Sequence, residues 1–281
     1  MEQADLTNWL QVPLEYWSGG ISVLLFLLLA VIELALGRDS LQSSPATRFV
    51  TNFGLYFTGV AIGLAVPLTI AGAAAWADDN DFGVFQSLEA PGWIVVAVAL
   101  LLRTFAGYWL HRAFHRVPLL WRFHRVHHSD VAVDVSLGLR HHPLELVPAI
   151  LVFAGLAALL GLQPWQALLV ELVMAAAAYW EHLAIRLPGR VRLALEKWIV
   201  IPETHRLHHS AHRPQTDSNF SSLTIVWDRL FGTFRPSSEA IARIGLGEDD
   251  DRIANNLGQQ LLLPFRSYSE TGSPGLGRLP S

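Results

Sequence analysis

Histidines are the residues of this 281-residue chain whose spacing could support chemistry. All 12 lie between residues 111 and 212, and three short motifs hold eight of them. His111 and His115 form an HxxxH motif, and two HxxHH motifs follow at 124–128 and 205–209. On a helix, side chains three and four positions apart project from the same side. Each motif therefore presents two or three imidazoles together, and neutral imidazole is a ligand for Zn, Cu, Fe and Ni.

The number of histidines predicts more than one metal ion. One ion takes roughly four to six ligands, so eight imidazoles indicate two metal ions, or one ion with a second layer of histidines. His182 stands alone, where ligation and a helix-end hydrogen bond are both open. Of the neighbouring His141 and His142, which precede Pro143, we favour His142 as a ligand and expect His212 to be solvated.

Other donors near the motifs are scarce. The chain contains no Cys, which excludes disulfides, iron–sulfur clusters and thiolate-bound zinc. Five carboxylates lie near the motifs and are candidates for orienting imidazoles through hydrogen bonds, although each could instead be a helix cap or a surface group. They are Asp130, Glu145, Glu181, Glu203 and Asp228.

The segments that must position these histidines are strongly apolar. Hydrophobic residues make up 52% of the chain and charged residues 16%, against about 25% charged residues in a typical soluble domain. A membrane-spanning helix needs roughly 20 mostly apolar residues. The segments of about that length are 19–37, 53–77, 93–110, 146–162 and 165–185. Only Gln163 and Pro164 separate the last two, so that pair forms a tight hairpin that crosses the membrane or re-enters it. We predict an all-α, polytopic membrane protein with four to five membrane-embedded helices.

The basic residues predict which side of the membrane holds the histidines. The loop at 78–92 has no Lys or Arg, and neither does the segment 1–18, so we expect no cleavable targeting sequence. Since cytoplasmic loops are enriched in Lys and Arg, we place the basic segments and all 12 histidines on the cytoplasmic face. The basic residues follow the first, third and fifth apolar segments: Arg38, Arg48, Arg112, Arg116, Arg122, Arg125, Arg186, Arg190, Arg192 and Lys197.

The remaining polar segments predict less structure. Residues 191–200 read as an amphipathic interfacial helix that carries Trp198, and the tail from Ser237 reads as a loosely ordered surface segment. The formal net charge is −4, and we expect no nucleic-acid partner.

Taken together, the motifs resemble the fatty acid hydroxylase / sterol desaturase superfamily of integral-membrane di-iron oxidoreductases. The matching stretches are HRAFH, HRVHH and HRLHH, with HHPLE between the last two and WDRLFGT after them, over about residues 95 to 236. Some members carry HxxxH at the end of the late helix, whereas Ala178 stands four residues before His182 here. This departure makes His142 a candidate replacement. The resemblance implies these iron ligands: His111, His115, His124, His127, His128, His142, His182, His205, His208 and His209.

The resemblance also implies a function. Two iron ions would use O₂ as a co-substrate to hydroxylate or desaturate a C–H bond of a lipid of the sterol or fatty acyl class, in lipid biosynthesis. No catalytic residue beyond the metal ligands is implied. Electrons would come from an external ferredoxin, cytochrome or reductase, since we find no dinucleotide-binding GxGxxG motif. We expect N-terminal transmembrane helices and an acidic external loop in 1–92, a fatty acid hydroxylase-like domain in 93–236, and a polar tail in 237–281.

Alternative interpretations remain open from the residues alone. A membrane zinc-dependent lipid hydrolase would need two or three ligands and a catalytic base. A metal transporter would hold its ligands near the bilayer midplane on broken helices. Arg112, Arg116, Arg122 and Arg125 could dock an acidic electron carrier, or could only set the topology and bind lipid headgroups.

Overall fold

The computed structural model of the chain describes residues 14–37, 46–65, 68–247 and 252–266. Within these ranges the chain is helical, with two isolated β-bridges and no β-strand. The helices are α1 Leu14–Leu36, α2 Ala46–Ala65, α3 Ile70–Asp79, α4 Gly92–Arg116, α5 Pro118–His128, α6 Leu146–Leu160, α7 Pro164–Glu181, α8 Gly189–Leu195, α9 Pro202–His208, α10 Arg213–Thr216, α11 Val226–Leu230 and α12 Leu257–Leu262. Arg38 and the segment 1–13, on which the predicted orientation partly relied, lie outside the described residues.

Three helical stretches among the described residues are long and apolar enough to cross a membrane. They are Gly19–Leu36 in α1, Gly92–Arg116 in α4, and Pro143–Leu160, which ends with α6. The described part of the chain is therefore all-helical, and its three candidate spans indicate an integral membrane protein.

Helices α6 and α7 form the predicted hairpin. Gly161 ends α6 in the left-handed conformation, with a φ of 68°. A Cβ on the neighbouring Gly83 would lie 2.3 Å from the Gly161 nitrogen, so glycine is required where the 82–84 loop meets this turn. The turn and the loop close the end of the helices opposite the histidines.

The predicted second span is wrong as a single helix. Residues 53–77 belong to two helices, because α2 ends at Ala65 and α3 begins at Ile70. The predicted helix at 191–200 is shorter than expected, because α8 ends at Leu195. Trp198 lies beyond the helix and is 69% exposed.

The end of the molecule that carries the histidine motifs, called here the functional end, is built from the ends of helices. The third span continues beyond the predicted 93–110 to Arg116, which puts His111 and His115 on the same helix as the membrane segment. Away from the histidines, α3, α4, α6 and α7 pack together in a hydrophobic cluster. The small residues Ala74, Ala99 and Ala157 in this cluster allow the helices to approach closely. This packing fixes where the helix ends that carry histidines emerge.

The expectation of a loosely ordered tail is wrong for residues 252–266. Helix α12 and the turn after it pack against α2 and α5, where Leu263 lies with Leu55 and Val126 in one buried cluster. Gln260 is fully buried and accepts a hydrogen bond from Ser129 at 2.8 Å. The tail therefore covers the helix that carries the first HxxHH motif.

A buried ion pair fixes α2 beneath that motif. Arg48, fully buried, donates to Asp130 at 2.6 Å and also to Asp134. Asn52, one turn later, donates to Asp130 at 3.1 Å and to Ser136 at 3.0 Å. Arg48 is therefore a buried structural cation and not one of the loop charges used to predict orientation.

We predict that Arg48→Met destabilises the protein by about 3–5 kcal/mol, because it leaves two buried carboxylates without their cation. The midpoint of thermal unfolding in detergent measures the loss. Arg190→Met removes an exposed arginine and should leave the midpoint nearly unchanged. Equal midpoints for the two variants would contradict the role of the buried ion pair.

Candidate metal centre

Three helix termini carry the histidine motifs. His111 and His115 lie on the last two turns of α4, and Pro118 begins α5, which carries His124, His127 and His128. Pro202 begins α9, which carries the second HxxHH motif through its cap residue His209. Proline at the first helical position has no N–H to leave unpaired, so it is well suited to start both of these short helices.

Nine imidazoles come together in two groups. Within each group the potential ligand nitrogens all lie within 4.8 Å of one another. Group A consists of His111, His115, His124, His128 and His208, and group B consists of His127, His182, His205 and His209. The groups adjoin, because the His128 ring of group A stacks on the His209 ring of group B at a centroid distance of 4.6 Å.

The nitrogens have the spacing of ligands around an ion. Two nitrogens bound to one ion at about 2.1 Å are about 3.0 to 3.4 Å apart in octahedral or tetrahedral geometry. In group B, Nε2 of His182 lies 3.3 Å from Nε2 of His127 and 3.0 Å from Nε2 of His205. In group A, the Nε2 atoms of His111 and His124 are 3.1 Å apart. Both groups can hold a metal ion without large rearrangement.

Several ring nitrogens of the grouped histidines are buried without a hydrogen-bond partner. In group A they are Nε2 of His115, Nε2 of His208 and both nitrogens of His128, and in group B they are Nδ1 of His205 and Nδ1 of His209. A buried polar atom without a partner costs about 1–3 kcal/mol, so native proteins rarely leave several together. A metal ion in group A would satisfy Nε2 of His115, Nε2 of His208 and one nitrogen of His128. In group B the Nε2 atoms face one another at 3.0 to 3.3 Å, and a metal ion would take the place of these contacts. These two observations show that the residues fit such a cofactor.

The opposite ring nitrogen of six histidines meets an acceptor. When Nδ1–H donates in this way, the neutral ring leaves Nε2 unprotonated, and ring orientation is fixed. The acceptors are Phe220 O for His111 (2.8 Å), Asp217 Oδ1 for His115 (3.3 Å), Glu145 Oε1 for His124 (2.8 Å), Arg140 O for His127 (3.0 Å), Ala178 O for His182 (2.6 Å) and Ser218 O for His208 (2.7 Å).

Of the five predicted orienting carboxylates, Glu145 contacts a grouped histidine directly. Asp130 pairs with Arg48, Glu181 accepts from Ser222 at 3.0 Å, and Glu203 accepts from the Leu187 N–H at 2.7 Å. Asp217, which accepts from His115, was not among the predicted carboxylates, and its other oxygen pairs with Arg213 at 2.8 Å. Its position four residues after Arg213 was the available signal, but that pairing alone does not indicate a histidine partner.

Asp228 orients His111 indirectly, through the backbone of Phe220. Its carboxylate accepts from the Phe220 and Ser221 N–H groups, each at 2.8 Å, and the Phe220 carbonyl is the acceptor for His111. Trp227 donates to Thr104 on α4 at 3.1 Å, which attaches this loop to the helix of His111. The WDRLFGT stretch therefore supports the loop behind group A.

Arg140 was also missed, and it supports group B through its backbone. Its fully buried guanidinium donates to Val126 O, Asn52, Ser129 and Ala254 O, each at 2.8 Å. These contacts fix the carbonyl that accepts from His127.

His142 lies outside both groups. Its Nδ1 accepts from the Leu144 N–H at 3.1 Å and its Nε2 lies 3.2 Å from Leu261 O, so both ring nitrogens have protein partners. The neighbouring His141 is nearer to group B, because its ring stacks on His127 at 4.6 Å and its Nδ1 shares Glu145. We therefore omit His142 from the ligand set. His212 is exposed, as expected.

Burial keeps five of the motif histidines neutral. Burial, followed by repulsion from neighbouring imidazoles, lowers the pKa of His127, His128, His205 and His209 well below 6.5. Burial likewise lowers the pKa of His208 to about 3. At neutral pH these rings are in the form that binds metal.

The predicted basic patch is smaller than expected. Arg116 and Arg122 are exposed, but Arg125 is buried and donates to Leu263 O. Arg125 therefore contacts the C-terminal turn and not a partner at the surface.

The family model and the relatives that match this chain agree in kind, because all are hydroxylases or monooxygenases. Residues 96–233 match the model of the fatty acid hydroxylase family. Human alkylglycerol monooxygenase is 31% identical over 139 residues, which cover 49% of this chain and 30% of that protein. Ornithine lipid hydroxylase OlsE of Rhizobium tropici is 29% identical over 233 residues, 81% of this chain and 67% of that protein.

A third relative gives a similar match. Fatty acid hydroxylase vlmA of Lecanicillium is 31% identical over 166 residues, 52% of this chain and 44% of that protein. The chain spans about a third of the length of the alkylglycerol monooxygenase that it matches. No solved structure matches the chain significantly.

We predict that the metal-free protein loses stability as the pH falls from 7.5 to 5.5. In the unfolded chain, histidines take up protons near pH 6.5, but burial in the fold lowers the pKa of five of them. These five are His127, His128, His205, His208 and His209. Stability is therefore present above pH 6.5 and is lost below it, at about 1.4 kcal/mol per pH unit for each histidine. The midpoint of thermal unfolding of chelator-treated protein should fall by on the order of 10 °C or more. An unchanged midpoint would contradict the burial of neutral imidazoles.

We predict that Glu145→Gln lowers metal affinity about 10- to 100-fold, because it replaces the carboxylate that accepts from His124 with a neutral amide. Competition with a chelator measures this affinity. Glu89→Gln changes an exposed glutamate at the other end of the molecule and should have no effect. Affinities within about twofold of each other for the two variants would exclude the role of Glu145.

Proposed function

The chain belongs to the fatty acid hydroxylase superfamily, and from this premise we propose that it is a di-iron, O₂-dependent monooxygenase of a membrane lipid. The observation that carries the proposal is the pair of adjoining histidine groups whose Nε2 atoms face one another at the spacing of metal ligands. We propose one iron in group A and one in group B, held by the nine grouped histidines. When bound, these ions supply O₂ activation and oxidation of an unactivated C–H bond.

We propose hydroxylation and not desaturation, because the relatives named above are hydroxylases or monooxygenases. The overall reaction consumes a C–H bond, O₂, two electrons and two protons, and yields a C–OH bond and water. We propose a sterol or fatty acyl lipid as substrate. The electrons come from a donor external to this chain, of the ferredoxin, cytochrome or reductase class.

The protein's own residues position the ligands and exclude water. Backbone carbonyls and carboxylates fix the rings through Nδ1, so that Nε2 points inward. In group A, His111 is partly exposed and the other four histidines are buried. Phe105 and Trp109, which are 36% and 41% exposed, precede His111 on α4. We propose that the lipid reaches group A along this apolar face.

We propose that the histidine groups lie at the cytoplasmic boundary and that four to five helices are embedded in the membrane. The basic Arg116, Arg122 and Arg186, exposed at the end that carries the histidines, support this orientation. We retain the proposed division into 1–92, 93–236 and 237–281, although α12 of the last segment packs against the second.

The geometry gives less support to the alternative functions. A transporter needs polar ligands near the bilayer midplane, whereas these groups form at helix ends. A zinc hydrolase needs three protein ligands and an open position, whereas nine imidazoles converge here.

We predict that His127→Ala and His208→Ala each abolish turnover and lower the iron bound per chain, because each removes a ligand from one group. Elemental analysis of protein purified from an iron-replete host measures the metal, with about two irons expected in the wild type. His212→Ala changes an exposed histidine and should retain both iron and activity. Zinc alone in the wild type would favour a hydrolase instead.

The proposed reaction is tested by comparing the lipids of cells with and without the gene. Mass spectrometry should find a lipid heavier by about 16 mass units, the mass of one oxygen, only when the wild-type gene is present. Cells that carry the His208→Ala variant provide the matched control and should lack the product. A product lighter by about two mass units would instead indicate desaturation, and identical lipids would contradict the proposal.

A further inference from the structure

An open pocket of about 650 Å³ lies behind the second HxxHH motif and contains none of the grouped histidines. Its walls come from the segment after α7, from α8, from α9 and from the chain around 237–244. Glu203 and Arg206 line it from one side of α9, whereas His205 and His209 turn toward group B. The pocket is therefore separate from the metal centre.

Three arginines face this pocket. Arg186, Arg192 and Arg206 line it, and none of them has a carboxylate within 4.0 Å among the described residues. The Arg206 guanidinium is held by Leu183 O at 3.0 Å, and that of Arg192 by the Ser237 hydroxyl at 3.2 Å. Each guanidinium has five N–H donors, so donors remain for a ligand after these contacts.

The two acidic residues of the pocket do not neutralise the arginines by direct contact. One Glu203 oxygen accepts the Leu187 N–H at 2.7 Å, and Glu239 accepts from Arg235 at 3.2 Å. The arrangement is typical of a site for an anion with several oxygens, because planar guanidinium groups pair well with phosphate.

Exposed apolar side chains flank Arg192 of the pocket along the chain. Val191 and Leu193 of α8 are 44% and 56% exposed, and Trp198 just beyond the helix is 69% exposed. Arg192 lies between the first two and turns to the pocket. A short helix with apolar side chains outward, next to arginines, is typical of a segment at the level of the lipid headgroups.

We propose that this pocket binds the phosphate of an anionic phospholipid, whose acyl chains lie against Val191, Leu193 and Trp198. The phosphate joins Arg186, Arg192 and Arg206, and therefore joins the end of α7 to α8 and α9. Since α9 carries His205 and His208, the bound lipid steadies the helix that contributes to both metal groups. This site does not depend on the identity of the metal or on the reaction.

The test measures lipid binding to the delipidated full chain by native mass spectrometry, with phosphatidylglycerol as the anionic probe and phosphatidylcholine as the zwitterionic probe. The double variant Arg186→Gln/Arg192→Gln should bind phosphatidylglycerol at least about tenfold more weakly than the wild type. The double variant Arg122→Gln/Arg190→Gln loses the same charge from exposed positions outside the pocket and should bind as the wild type does. Equal losses in the two double variants would overturn the proposal.

Two further measurements separate the sources of the phosphate and guard against misfolding. Inorganic phosphate in large excess should displace little phosphatidylglycerol. Complete displacement would show that the pocket binds free phosphate and would overturn the proposal of a phospholipid. Equal affinity for the two lipids would overturn the anionic specificity. Arg186→Gln alone changes an exposed residue and should still weaken binding several-fold with an unchanged unfolding midpoint. Iron content is measured in the same samples, so failure of lipid binding is distinguishable from loss of the metal centre.

Discussion

The structure depends on one unfavourable arrangement, the convergence of nine imidazoles, eight of them buried, with nitrogens turned toward one another. Five of these histidines have a buried nitrogen that no protein group satisfies. At about 1–3 kcal/mol each, the penalty is comparable with the whole stability of an ordinary domain, about 5–15 kcal/mol. Bound metal removes part of that penalty, because the unpartnered nitrogens of His115, His128 and His208 become ligands. Folding of this end of the protein and metal binding are therefore expected to be strongly coupled.

The remainder of the functional end holds this arrangement in place. Arg140 fixes the carbonyl that accepts from His127, and Asp228 fixes the loop whose carbonyl accepts from His111. Arg48 ties α2 to the loop that follows the first HxxHH motif. These supports come from segments far apart in the chain, so the histidine positions depend on the fold of the entire functional end. The apolar helices place the ends from which the motifs project.

Local patterns in the sequence predicted what local physics controls. Helical spacing identified the three motifs, and the Gln163–Pro164 junction identified the α6–α7 hairpin. The sequence could not predict which of His141 and His142 turns inward, since neighbouring residues differ only in how the 139–145 turn is packed. The division of HRVHH between two groups, with His127 in one and His124 and His128 in the other, likewise depends on the approach of α9 and α7. Arg48 and Gln260 looked like surface residues because their buried partners lie far away in sequence.

X-ray absorption at the iron edge of the purified protein tests the account most directly. We predict a first shell dominated by nitrogen at about 2.1 Å, with the outer-shell scattering that imidazole rings produce. His142→Ala should leave this spectrum unchanged, because the structure places that residue outside both groups. A first shell dominated by oxygen, without imidazole scattering, would contradict the assignment of the converging histidines as ligands.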